Sequence, residues 1–397
     1  MRDFFEVCRG LAPGSTVLLR VDFNLSRDSA GQWILNKRLY RVIPVIKELL
    51  AMQFGVVLVS HLGRPREGVW EERFSLASLG VCLESLLGKP VTFLSSWPYQ
   101  KTYLAAGTVA LAENTRFLKG ESSNCSDLAG KMVEHVDLVV MEAFACSHRS
   151  HASTVGVMQH GRRVCLGPEH RKELRGIDAF LTMKSPRVAY IGGKKISTKL
   201  PLLVKLLDTV DKICFGGGIA STILYAKGYP MGTSWVEFNC LDEVDRFCRL
   251  ADSRGVDLIL PVDACVTDDL VEFNNRRTVD VDEILPHESV VDIGPRTISQ
   301  YTGFAMSARS VYWNGPMGIY EHRSGIHGSA ELARSLSTAD AYSLVGGGDT
   351  LSALTLLGIE DFSHLSTGGG AFLHYLAHNS TPVLDQVSAV QDEVAVV

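Results

Sequence analysis

The stretch "RVAYIGGKKISTKLPLLVKLLDTVDKICFGGG", residues 187–218, decides the fold. An apolar run (187–193) leads into a helical pattern (199–209), and a second apolar run follows at 211–218. Buried strand, crossover helix and buried strand together make one unit of a parallel sheet. Each strand ends in glycine, at Gly192-Gly193 and Gly216-Gly217-Gly218, where a backbone can come close to something else. Between the two lie adjacent lysines, Lys194 and Lys195, whose mutual repulsion asks for an anion.

The same rhythm runs outward in both directions. Strands are expected at 256–263, 310–318 and 341–349, with helical patterns at 239–253 and 326–337. The first half repeats it, with strands at 15–23, 55–61, 107–114 and 137–144 and helical patterns at 38–53 and 74–87. Such alternation implies an α/β protein with parallel sheets covered on both faces. A helix is expected over 168–183, stopped by Lys184-Ser185-Pro186, because the residue before proline avoids α geometry. Two α/β domains of similar size, joined by that helix, account for the 397 residues.

Composition narrows the function. Hydrophobic content of 46% and charged content of 21% are ordinary for a globular chain, and a net charge of −5 gives no support for nucleic-acid binding. The nine cysteines are scattered without a C-x-x-C pair, which favours reduced thiols over disulfides or zinc ribbons. The N-terminus lacks the apolar run of a signal peptide and no stretch could span a bilayer, so a soluble, cytoplasmic protein is expected.

Ligands of open α/β sheets bind beyond the carboxyl ends of the strands. In the first half those positions are basic: Arg20, Asp22 and Asn24 in "RVDFN", His61 and Arg64 in "SHLGRP", Arg116 in "ENTRF", and His148, Arg149 and His151 in "CSHRSH". Arg38 opens the first long helix. Any one of these could be a solvated surface charge; their recurrence after nearly every strand suggests a pocket for a small, multiply charged anion. In the second half the strands end in glycine, at 192–193, 216–218, 346–348 and 368–370. Helix N-termini behind such turns suit nucleotide phosphates. Asp349 could hold Mg²⁺ there, or could cap a helix beside Thr350. The chain has no P-loop, Rossmann fingerprint, H-E-x-x-H or G-x-S-x-G motif.

Laid in order, "RVDFN", "SHLGRP", "ENTRF", "AFxxxHRxHAST", "GGxK", "GGG(I/M)A", "DIGP", "VYWNGPMG", "GGGDT" and "STGGGA" resemble the phosphoglycerate kinase family over nearly the whole chain. The resemblance implies two Rossmann-like parallel-sheet lobes that close by hinge bending about an interdomain helix. It divides the chain into residues 1–170, binding 3-phosphoglycerate, a 171–184 linker helix, residues 185–372, binding Mg-ATP or Mg-ADP, and a 373–397 segment packing back on the first lobe. It assigns Asp22, Asn24, Arg38, His61, Arg64, Arg116 and Arg149 to phosphoglycerate. It assigns Gly193, Lys195, Lys199, Gly217, Gly218, Asn314, Gly315, Glu321, Gly346, Gly347, Gly348, Asp349 and Thr350 to the nucleotide, with Asp349 on the metal. Arg38, Lys195, Gly347 and Gly370 become the catalytic candidates, the two glycines as openings of helices facing the moving phosphoryl group. A monomer acting on small molecules is implied.

Some positions depart from the family pattern. "N/M-D-A-F-G-T" is here "MEAFACS" (141–147), with Glu142 for Asp and Ala145 for Gly, which could loosen the turn that aims Arg149. Ser26 replaces a proline, Lys194 a small residue and His374 a glutamate, and "AHNS" (377–380) an acidic turn. A helix starting near Ser197 would set Lys195 and Lys199 on one face. Lys194 then points elsewhere and reads as a solvated ammonium. Two rivals remain: a silent relative kept as a scaffold, and a different two-domain nucleotide enzyme such as a dehydrogenase.

Overall fold

The computed structural model describes residues 3–100 and 103–395. The chain forms two compact units, Met1–Leu174 with Gly370–Val397, and Arg175–Gly369. The division falls within the helix Pro168–Thr182. The last two residues of the expected 373–397 segment lie outside the described residues.

Six strands build the first unit: β1 (Thr16–Arg20), β2 (Gly55–Val59), β3 (Val91–Leu94), β4 (Val109–Ala112), β5 (Leu138–Met141) and β6 (Val164–Leu166). They lie in the order β3-β4-β2-β1-β5-β6, and every pairing is parallel. β2, β4, β5 and β6 are buried at every residue, because helices cover both faces. The helix Lys37–Ala51 contributes Leu39, Val42, Ile43, Ile46, Leu49 and Leu50 to that core, at the spacing of one helical face. After Gly370 the chain returns to this unit. Val383 and Val387 are fully buried, and Val383 N donates to Ser147 O (3.3 Å).

The second unit holds β7 (Arg187–Ile191), β8 (Lys212–Phe215), β9 (Asp257–Ile259), β10 (Asp263–Thr267), β11 (Arg277–Asp280), β12 (Ser289–Ile293), β13 (Ser310–Asn314), β14 (Tyr342–Gly346) and β15 (His364–Ser366). Six of them form a parallel sheet in the order β15-β14-β13-β7-β8-β9. In both sheets the strand order reverses about a central strand, β1 or β7, and that reversal opens a crevice at the carboxyl edge.

The structure departs from the expected elements in several places: β3 and β6 were not among the expected strands, and the helix expected at 74–87 begins only at Leu79, after a short 3-10 turn at Glu72–Phe74. The single strand expected at 256–263 is two strands, β9 and β10, separated by Leu260–Val262, where Pro261 has no N–H to give a ladder. β10 turns into a separate antiparallel sheet, β11-β10-β12, with its own apolar cluster of Leu224, Met231, Val236, Ala264, Val266 and Val279.

Candidate active site

The first unit gathers its basic residues where β1, β2 and β5 end. Arg38 is placed by Asn36, whose side chain accepts from Arg38 N (3.0 Å) and caps the Lys37–Ala51 helix. From that first turn Arg38 Nη1 reaches Asp22 Oδ2 (3.2 Å). Asn24 Oδ1 accepts from Gly63 N (2.9 Å), tying the exit of β1 to the exit of β2. Asn114 Oδ1 accepts from both Leu62 N and Arg116 N (3.0 Å each), so one buried amide sets two turns of the rim.

Arg20 belongs beneath the rim, not on it. Its side chain is buried, donates from Nε to Ser153 Oγ (3.1 Å) and from Nη1 to the Val21 carbonyl, and brings Nη2 within 3.4 Å of His61 Nδ1. Ser153 Oγ in turn donates to Glu121, a carboxyl raised by burial against the pull of that hydrogen bond and of Arg20. Burial first, then the charges of Arg20, Arg116 and Arg149, hold His61 well below its ordinary value, so it stays a neutral imidazole.

Above this layer the positive groups crowd one another. Burial, then Arg149, lowers the Arg116 guanidinium, and its Nε is buried without a partner. His148 and His151 are both held down to about 4, by burial first and then by Arg149 and Arg116 respectively. Among the described residues, Arg64, Arg116 and Arg149 make no ion pair. Glu121 offsets only part of the charge on Arg116; like charges this close are costly, and a multiply charged anion removes that cost. Glu142 leaves this turn altogether. Its Oε1 accepts from Glu169 N (3.1 Å) at the start of the Pro168–Thr182 helix, Oε2 is buried without a partner, and burial pushes the carboxyl up to about 8.

In the second unit a cavity of about 600 Å³ opens between the carboxyl ends of β7, β8 and β13 and the antiparallel sheet. Gly193, Gly217, Gly218, Glu321 and Asp349 line it, with Trp235, Phe238 and Met317 as its apolar wall. Two kinds of glycine meet here. A Cβ on Gly217 (φ +60°) or Gly218 would fall 2.8 Å from Gly193 O or 2.5 Å from Lys194 O, so these glycines let neighbouring turns touch. Gly193 and Gly348 instead face open space.

Lys199, Asn314 and Thr350 build the wall behind. Lys199 Nζ donates to the Asn314 carbonyl (3.0 Å) and side-chain oxygen, Asn314 Nδ2 donates to Tyr312 OH (2.7 Å), and Thr350 Oγ1 accepts from Gly315 N (2.7 Å). Burial lowers the Lys199 ammonium to about 8, with Asp349 opposing. Gly347 (φ +98°), following Gly346 at the end of β14, is the N-cap of the Gly348–Leu357 helix. Asp349 therefore sits in the first turn, and the capping alternative for it fails.

One expectation about the lysines is corrected. The helix after β7 begins at Leu200, not near Ser197, so Lys195 and Lys199 share no helical face. Residues 197–199 form a turn because Glu237 accepts from Ser197 N (3.1 Å) and Oγ, holding them out of the helix. Lys194 is exposed, as expected of a surface ammonium, but it has a partner that the sequence did not name: its Nζ lies 4.1 Å from the ring centre of Trp235.

The comparisons with known proteins bear on this arrangement as a whole. A sequence model of the family described as phosphoglycerate kinase matches residues 11–379. The phosphoglycerate kinase of Coxiella burnetii is 39% identical over 370 residues, covering 93% of this chain and 94% of that one. That of Desulfovibrio desulfuricans is 40% identical over 381 residues, covering 96% of each. The chain belongs to the phosphoglycerate kinase family. Among solved structures, the Coxiella burnetii phosphoglycerate kinase matches with a TM-score of 0.86 at 38% identity, over 95% of this chain and 97% of that chain. The Pyrococcus horikoshii phosphoglycerate kinase gives 0.82 at 28% identity, over 95% and 96%.

As a phosphoglycerate kinase family member, the protein is a kinase that transfers a phosphoryl group between ATP and 3-phosphoglycerate, a step of glycolysis. Three residues of its site are absent from the sequence reading: Trp235, Glu237 and Asn114. Asn114 lies in the quoted "ENTRF", where its short amide before a turn was the available signal. Trp235 and Glu237 sit in a loop far from the lysines in sequence, and no local pattern connects them.

Proposed function

We propose that the basic rim of the first unit binds 3-phosphoglycerate through Asp22, Asn24, Arg38, His61, Arg64, Arg116 and Arg149, and that the cavity of the second binds the nucleotide. The crowding of Arg116 against Arg149, with neither in an ion pair among the described residues, carries the first assignment. The open glycines beside an apolar wall support the second.

In the ATP-consuming direction a carboxylate oxygen of phosphoglycerate forms a bond to the terminal phosphorus. The bond to the bridging oxygen breaks, and ADP leaves with the electron pair. The carboxylate is already ionised at neutral pH, so no general base is required. The work left to the protein is positioning and charge neutralisation. Arg38 and Lys195 supply fixed positive charge, and the helices opening after Gly347 and at Gly370 present free N–H groups. Asp349, an exposed carboxylate on the cavity wall, fits Mg²⁺, which takes one or two carboxylates and completes its shell with phosphates and water. Bound there with the nucleotide, the ion would neutralise charge on the terminal phosphates. Nine free cysteines are in keeping with a reducing, cytoplasmic setting, in which the protein acts as a monomer on small molecules. No helix among the described residues is long and apolar enough to cross a membrane.

Calorimetric titration of the Arg149→Gln variant tests the assignment. Loss of a charge-assisted hydrogen bond should weaken 3-phosphoglycerate about 10- to 100-fold and leave Mg-ADP affinity unchanged. Unchanged phosphoglycerate affinity would remove Arg149 from the site.

A further inference from the structure

Beneath the basic rim lie three groups that phosphoryl transfer does not need as a set. Asp22 follows β1, His61 follows β2 and Cys146 lies in the turn after β5. Because β1 pairs with both β2 and β5, the sheet brings the three turns to one edge. All three side chains are buried, and one potential ligand atom from each lies within 4.8 Å of the others. Cys146 stands at the sixth position of "MEAFACS", where the family motif quoted above has threonine.

We propose that Asp22, His61 and Cys146 form a binding site for a soft divalent cation of the zinc type, and that filling it inhibits the enzyme. The separations suit that ion. Zinc takes thiolate sulfur at about 2.3 Å and imidazole nitrogen at about 2.0–2.1 Å, which in tetrahedral geometry sets the two atoms about 3.6 Å apart. Cys146 Sγ and His61 Nδ1 are 3.8 Å apart already. The carboxylate oxygen, within 4.8 Å of the other two atoms, has at most about 1.4 Å to close, a rotation of one side chain. Little is lost in exchange, since the competing Arg20 contact to His61 Nδ1 is long, at 3.4 Å.

Charge permits the filling despite the arginines. A thiolate and a carboxylate with a dication make a neutral set once the thiol proton has left; the empty set, with Asp22 ionised and the thiol protonated, carries −1, so the surrounding rim meets one added positive charge and not two. Magnesium does not compete, because it prefers oxygen ligands in octahedral array. Three protein ligands leave a fourth position for water. Occupancy draws Asp22 from Arg38, its partner at 3.2 Å, and takes His61 from the phosphoglycerate site. The inhibitory consequence thus rests on the functional reading above, whereas cation binding does not.

Cobalt(II) titration of the full-length protein tests the site without reference to turnover. One equivalent should produce the near-ultraviolet thiolate-to-cobalt absorption of a tetrahedral site, displaced by Zn²⁺ and lost in Cys146→Ser. If that variant does not fold, Cys146→Thr, carrying the family's residue, takes its place. In turnover assays Zn²⁺ should compete with 3-phosphoglycerate and not with Mg-ADP. Either Cys146 variant should keep metal-free turnover within about twofold and need at least about 100-fold more Zn²⁺ for half inhibition. Absence of the band from the unmodified protein, or its persistence in the folded Cys146 variant, overturns the site. A Cys146-dependent band without competition against phosphoglycerate upholds the cation site and overturns the placement of phosphoglycerate beside it.

Discussion

Replacing Lys194 and Lys195 separately by alanine separates a binding role from a catalytic one. Lys194 Nζ sits 4.1 Å from the Trp235 ring centre, and both residues line the cavity proposed for the nucleotide. An exposed cation–π pair contributes about 0.5–1 kcal/mol, so losing it should weaken Mg-ADP about two- to fivefold through the cavity wall and leave kcat unchanged. Lys195 lies outside the cavity lining and is exposed, on a turn fixed by the Ser197–Glu237 hydrogen bonds. A preorganised charge aimed at the transferring group is worth about 2.7–4 kcal/mol, or about 10²–10³ in kcat. ATP formation from 1,3-bisphosphoglycerate and Mg-ADP, measured in a coupled assay at saturating substrates, gives kcat; calorimetry gives the nucleotide affinity. Equal kcat losses from the two variants, or a larger one from Lys194→Ala, would show that the catalytic charge has been assigned to the wrong lysine.

Arg38→Ala should lower kcat about 10³-fold, on the scale of an arginine at a phosphoryl-transfer centre. Urea unfolding should shift by under about 1 kcal/mol, since the Arg38–Asp22 pair is one-third exposed on the arginine side; a kcat loss below tenfold would take Arg38 off the catalytic set. Asp349→Ala should weaken Mg-dependent ADP binding in calorimetry and leave phosphoglycerate binding alone; normal Mg-ADP affinity and turnover would refute the metal assignment. Glu142→Gln should stabilise the protein above neutrality. Burial holds the Glu142 carboxyl at about 8, so the folded chain keeps a proton that the unfolded chain has already released, and stability falls by up to about 1.4 kcal/mol per pH unit from the ordinary carboxylate range up to about pH 8. Thermal melts across that window should slope less steeply in the variant; parallel slopes would mean that Glu142 ionises normally.

The parallel sheets were legible because buried strands read as unbroken apolar runs, as "VVLV" and "LVVM" do. The runs overshoot the true strands by two to four residues where glycines follow, since a turn glycine and a strand glycine look alike in sequence. The antiparallel sheet was hidden because β10 and β11, "DACVT" and "RTVD", carry too few apolar residues in series to mark a strand. Strand-end arginines show most clearly what sequence position leaves open. Arg20 and Arg116 both follow an apolar run, and both read as candidates for the rim. Arg20 is instead buried because Ser153, 133 residues along the chain, and Glu121 behind it provide an acceptor and a countercharge. Arg116 is less well served: its Nε is orphaned, its Nη1 has only a long contact to Ser122 Oγ (3.5 Å), and the repulsion of Arg149 exceeds the through-space pull of Glu121. The difference lies in what the fold brings to each guanidinium, so a cation left without its counterion, more than a cation at a strand end, marks where an anionic substrate belongs.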